Sequence, residues 1–185
     1  MHTKSSAVRF KTNAADGLNE GEFLVYPSTF TRTPDSYGDV VAKGAFAKGI
    51  AKRKADGAQL PGLFMHRLDD LGSYVAHAIE EGEDDHGWWV KGAFDLDDSA
   101  GAKLYRLVKG GRIRELSFAY DVVSEARVKL ADGKSANELR DLDVHEFSFF
   151  VVGANRDTVV AAVKSAPASR PRLAKARARL AVLTG

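Results

Sequence analysis

With no cysteine in the 185 residues, nucleophilic chemistry in this chain falls to hydroxyls, with histidine as the natural base. Two residues suit that pairing by type: Ser117, in RIRELSFAYDV, and His66, which ends the apolar run LPGLFMH. A serine hydroxyl is a poor nucleophile near neutral pH and needs a base within hydrogen-bond reach. Histidine supplies one, because its unperturbed pKa lies near 6.5. Strand alternation puts Leu116, Phe118 and Tyr120 on one face and Ser117 with Glu115 on the other. Spacing alone does not bring Ser117 and His66 together. On periodicity alone, the ordinary reading of both is structural: a filler on a strand face and a hydrogen-bonded core histidine.

Other chemistries find less support. His66, His77 and His86 are spaced eleven and nine apart, which matches no helical ligand pattern such as HExxH. The acidic stretch EGEDDHG lacks the loop length and closing Glu of a calcium-binding EF-hand, so a solvated hairpin tip is expected. Neither GxGxxG nor GxxxxGK[ST] occurs, so no nucleotide cradle is indicated. Trp88 and Trp89 are adjacent, face opposite ways in a strand and cannot form one stacking platform. At least one of them belongs in the core. No cofactor and no metal are expected.

The elements that must position these residues read as short strands with two interposed helices. EFLVYPSTF predicts a strand that Pro27 either ends or confines to an edge, and TRTPDSYGD a loop. GAFAKGIAKRKADG suits a short helix, with Phe46 and Ile50 four apart and Gly57 as a left-handed C-cap. LGSYVAHAIEEGEDDHGWWVKGAFDL reads as a hairpin around its acidic turn. DDSAGAKLYRLVKGG is a helix capped by Asp97 or Asp98, with Leu104, Leu107 and Val108 on its apolar face and a stop at Gly110. IRELSFAYDVV and DVHEFSFFVV are strands joined by a polar connection containing ADGKSANELRD. Many strands with few helices predict a mainly β fold with flanking helices (α+β), its antiparallel sheet closed into a barrel.

Charge divides the chain. The formal net charge is +2, yet Lys164 to Gly185 holds six basic residues and no acidic one, which leaves 21 basic against 25 acidic residues before it. The expected organisation is therefore a folded domain over 1–163 and a basic tail over 164–185. SAPASRPR has linker chemistry, and LAKARARLAVL is long enough only for a short helix that orders on a partner. A body of net negative charge without an aromatic platform does not favour nucleic acid as a partner. No run approaches the roughly 18 apolar residues of a membrane span. The first residues, MHTKSSAVRFKTN, also lack a secretory apolar segment. A soluble protein that stays in the cell that makes it is expected.

Five segments, taken in order from about Glu22 to Thr158, resemble the prohead proteases of tailed bacteriophages, which are themselves similar to the herpesvirus capsid-assembly proteases. DSYGDVVAKGAF resembles the early Asp, Gly-Asp and Gly-Ala-Phe element. MHRLDDLGS resembles the histidine motif, and GWWVKGAFDL the strand that follows it. KGGRIRELSFAYDV resembles the nucleophile motif, and DVHEFSFFVVGANRDT the closing motif, an acidic residue and Ser before Ala-Asn.

The resemblance implies a barrel of the herpesvirus-protease and prohead-protease type, and a serine endopeptidase with Ser117 as nucleophile, His66 as base and Glu146 as third member. His145, the neighbour of Glu146, competes for the last role because the herpesvirus relatives use a second histidine there. Glu146 shares its strand face with Ser148, and His145 shares one with Phe147 and Phe149, so the more polar face favours Glu146. Arg156 is a candidate helper at the oxyanion, through its amide or its charge. Asp39 and Gly44 to Phe46 match family positions as turn and core.

By the same resemblance, the partners are the major capsid protein with its scaffolding segment, and other copies of the enzyme. The place of action is the assembling prohead in the host cytoplasm, with no membrane involved. Scaffold is expected from the capsid protein or another chain, and the tail is a candidate docking tag on acidic scaffold. Two rivals of other classes are an assembly factor that keeps the fold without cutting, and a nucleic-acid binder acting through its tail.

Overall fold

The computed structural model describes residues 1–7 and 17–151. The elements in chain order are β1 (His2–Ala7), β2 (Glu22–Thr29), β3 (Asp39–Val41), α1 (Ala47–Asp56), β4 (Pro61–Phe64), a 3-10 turn (Leu71–Ser73), β5 (Tyr74–Glu83), β6 (Gly87–Phe94), α2 (Ser99–Lys109), β7 (Glu115–Lys129) and β8 (Ser135–Phe150). The strands form one sheet in the order β1-β7-β8-β4-β5-β6-β2, with β3 beside β8. The sheet curls into a half-barrel.

The mainly β reading holds, but the sheet is mixed rather than antiparallel throughout, and it curls part-way instead of closing into a barrel, with β1 and β2 as its unpaired ends among the described residues. Both β3 and β4 run parallel to β8, at Asp39↔Asn137 and at Leu63↔Ser148. The reason is α1: a helix between two strands carries the chain back to its starting end, so the second strand repeats the direction of the first. The sixteen residues of β8 give both of them room on one side.

Two further expectations change. The polar stretch read as a connection is mostly the first half of β8, and the reversal is confined to a turn. There Leu130 N–H donates to Lys134 O (2.8 Å) and Gly133, at φ 82°, donates to Leu130 O (2.9 Å). Polar residues suit this stretch because the β7–β8 ribbon here carries only a small second apolar cluster of Val40, Leu130 and Ala136, with Val128 against it. Strand β1 carries no sequence signal of its own, since HTKSSA has no apolar alternation. It pairs antiparallel with β7 through backbone bonds, which need no apolar side chains.

The remaining elements follow their local signals. Pro27 lies in β2, the sheet's other edge, at a register shift between Val25 and Ser28. Asp98 caps α2 by accepting the N–H groups of Ala100 and Gly101, and Leu104, Tyr105 and Val108 are its buried face. Gly57, at φ 63°, closes α1. Helix α1 is tied to β5 by Arg53, whose guanidinium donates to both carboxylate oxygens of Glu81 at 2.7 and 2.8 Å.

The core gathers Phe23, Phe46, Trp88, Phe118, Phe147 and Phe149, all fully buried. Phe46 stacks on Trp88 with centroids 4.7 Å apart, and Phe118 meets the same indole edge-on at 5.4 Å. Trp89 lies on the other face and is partly exposed. Burying these aromatics locks the relative positions of β4, β7 and β8, the three strands that carry or flank the candidate chemistry.

Candidate active site

Register between β7 and β8 does the first part of the positioning. Ser117 lies opposite Ser148, and Ala119 opposite Glu146. Opposed residues of an antiparallel pair share a face, so Ser117, Ser148 and Glu146 project to one side while Leu116, Phe118 and Phe147 face the core. All three polar residues are fully buried. Beyond Ala119 the register shifts: Tyr120 faces Val144, which leaves His145 as an extra residue on β8. Its ring turns to Asp121, with Nε2 and Oδ2 3.0 Å apart, and is a third exposed.

Strand β4 delivers His66 on the other side of β8. Gly62 is needed there, since a Cβ at that position would stand 2.7 Å from the Phe147 ring and 2.8 Å from Ala76 Cβ. After Phe64 the chain turns sharply, with Met65 and His66 both left-handed at φ 63° and 56°. Such a conformation costs a residue with a Cβ roughly 1–2 kcal/mol. Two hydrogen bonds hold it: Met65 N–H to Phe149 O (3.2 Å) and His66 N–H to Ser148 Oγ (3.0 Å).

The turn lays the imidazole over the polar face of β7 and β8. His66 Nε2 is 2.7 Å from Ser117 Oγ, and Nδ1 is 2.5 Å from Glu146 Oε1. Glu146 Oε2 accepts the Ser148 hydroxyl. A fully buried carboxylate is costly unless both oxygens find donors, and here both do. The Phe150 ring flanks the imidazole at 4.9 Å, which leaves the His66 side chain 15% exposed. Ser117 Oγ also lies 3.0 Å from the Lys4 carbonyl of β1, to which it can donate. An apolar cavity of about 290 Å³ opens beside the end of β4, lined by Phe64, Leu107, Ile113 and Val151 among others.

Ser117, His66 and Glu146 thus lie in one hydrogen-bonded line, while His145 pairs elsewhere. Ser148 joins this line, accepting His66 N–H and donating to Glu146, and the motifs alone give it no role. Its signal is the E-x-S spacing, which puts both side chains on one strand face. The early motif serves the frame: Asp39 accepts Asn137 Nδ2 (3.1 Å), and Glu83 accepts the N–H groups of Gly44 and Phe46 (both 2.8 Å). His77 and His86 lie away from the Ser117 line, on β5 and in the β5–β6 turn, where the Asp84 carboxylate accepts His86 N–H at 2.7 Å. Arg156 and the basic tail fall outside the described residues.

A serine hydroxyl, an imidazole and a carboxylate joined in that order is the arrangement of serine hydrolases, met on several unrelated folds. Residues 8–170 match the family model of the caudovirus prohead serine proteases, so the chain belongs to that family, a class of proteases acting in phage head maturation. This agrees with the resemblance carried by the five motifs, and it implies contact with capsid proteins inside the assembling prohead. No curated protein and no solved structure matches the chain.

Proposed function

We propose that this chain is a serine endopeptidase that removes scaffolding segments from the capsid protein inside the prohead by an acyl-enzyme mechanism. The observation that carries the reading is the unbroken line from Ser117 Oγ through the His66 ring to Glu146. His66 Nε2 takes the Ser117 proton as Oγ attacks the scissile carbonyl carbon. The same nitrogen returns that proton to the leaving amine as the C–N bond breaks, leaving an ester on Ser117. Water, deprotonated by His66, then hydrolyses the ester and restores the hydroxyl. Glu146 fixes the imidazole with Nδ1 protonated and stabilises the imidazolium formed in each half-reaction. Ser148 orients Glu146 from behind. Residues 1–163 form the protease domain of this reading, and the basic residues from Lys164 onward dock it on acidic scaffold.

The test is co-expression of the Ser117→Ala chain with its capsid protein. Shells should hold uncut scaffold segments and intact protease. His66→Ala should match it, since nucleophile and base act as a unit. Because Ser117 is fully buried and contacts both His66 and Lys4 O, the substitution costs about 1–3 kcal/mol and leaves a folded chain. Normal processing by well-folded Ser117→Ala protein, with no other protease present, overturns the assignment and favours a non-catalytic assembly factor.

A further inference from the structure

The strand that covers Ser117 has the form of a bound peptide. Strand β1 is the terminal strand of the sheet, and β7 would be an open edge without it. An open edge beside a nucleophile is the site at which an extended peptide adds as a further strand, held by backbone bonds and read by its side chains. β1 runs antiparallel to β7 with Ser5 opposite Ser117 and Lys4 opposite Phe118. The carbonyl that Ser117 Oγ touches, at 3.0 Å, is that of the Lys4–Ser5 bond. β1 also lies outside residues 8–170, the part matched by the family model.

The side chain of Lys4 identifies what such a peptide would carry. Its Nζ is 3.0 Å from Asp35 Oδ2, and the two side chains are only 16% and 19% exposed. Asp35 is split between two tasks. Oδ1 accepts the N–H groups of Tyr37 and Asp39, both at 2.9 Å, and so holds the loop before β3. Oδ2 is buried and has no hydrogen-bond partner among the described residues, so the Lys4 ammonium 3.0 Å away acts as its counter-charge alone. Nearby charge is negative as well: burial first, and then the Asp39 and Asp35 carboxylates, push the Tyr120 phenol well above its ordinary pKa. Asp35 opens the DSYGD motif, and loop-capping by Oδ1 leaves Oδ2 without a use.

We infer that substrate adds to β7 as an antiparallel strand in the place held by β1, and that Asp35 selects lysine or arginine at the residue whose carbonyl meets Ser117. This rests on the proposed function and names its substrate class: an extended peptide cut after a basic residue. β1 is then a competitor within the chain, which the substrate must displace to reach a nucleophile that is otherwise fully covered.

The experiment compares two peptides that differ at one position, lysine or uncharged norleucine, with the full chain. The kcat/KM ratio should favour lysine by about ten- to a hundredfold, because norleucine would leave the buried Asp35 Oδ2 without its counter-charge. In Asp35→Asn, whose amide oxygen can still accept the two loop N–H groups, the ratio should fall to within about threefold of one. Lys4→Glu should lower KM for the lysine peptide, because Asp35 then repels β1. That readout survives even if Asp35→Asn fails to fold. Equal cleavage of both peptides, abolished in Ser117→Ala, overturns this inference and leaves the proposed function standing. Absence of any Ser117-dependent cleavage, of peptides or of capsid protein, overturns both.

Discussion

Replacing Ser148 by alanine removes one hydroxyl and two hydrogen bonds that hold the His66 turn together. The hydroxyl accepts His66 N–H at 3.0 Å and donates to Glu146 Oε2. Without it, a part-buried N–H and one oxygen of a fully buried carboxylate lose their partners, at about 1–3 kcal/mol each. The turn itself stores strain at Met65 and His66, both left-handed, and of the two backbone N–H bonds that tie it to β8 only Met65 N–H to Phe149 O would remain. Ser148→Ala should therefore lower stability by about 2–4 kcal/mol, or at least about 5 °C in Tm. The imidazole should also swing away from Ser117. A misplacement near 1 Å costs about a hundredfold in rate, so kcat should fall by about 10²–10³ with KM changed much less. Peptide hydrolysis, labelling of Ser117 by a fluorophosphonate and a melting curve measure the three effects. A Ser148→Ala chain with kcat within threefold and Tm within a degree or two would refute the idea that this hydroxyl positions His66.

Other outcomes are specific to single contacts. Glu146→Gln should reduce kcat by about 10²–10⁴ in peptide hydrolysis, because the amide cannot stabilise the imidazolium. His145→Ala, which removes only an exposed pair with Asp121, should stay within about threefold, and the opposite ranking at matched Tm would make His145 the third member. Glu81→Ala should cost about 3–5 kcal/mol in denaturant unfolding, because it strands Arg53 and the Trp88 indole N–H in a site about 13% exposed. Asp85→Ala, in the exposed pair with Lys43, should cost less than about 1 kcal/mol in the same assay. Removing residues 165–185 should leave peptide cleavage intact and reduce incorporation into assembling shells. Equal incorporation would remove the docking role, and lost cleavage would place those residues in the folded domain.

Much of this protein was legible because its signals are local. The Asp98 cap, the Gly57 and Gly110 stops and the two arms around EGEDDHG each depend on a few neighbouring residues, whose backbone preferences hold in any context. Alternation around Ser117 and Glu146 likewise assigned each side chain to a face. The order of five short motifs identified the family, because order is a property of the chain itself. What the tertiary structure decided depends on partners far away in sequence. Whether ADGKSANELRD is loop or strand depends on β7 and β3 being there to pair with it, and HTKSSA becomes a strand only because β7 has a free edge. The parallel direction of β3 and β4 comes from the path of α1 across the sheet. The line of Ser117, His66 and Glu146 needs a β7–β8 register, a bulge that turns His145 aside and two left-handed residues. None is favoured by its own residues. Each persists because burying the surrounding aromatics and satisfying Glu146 in the interior outweighs the local cost.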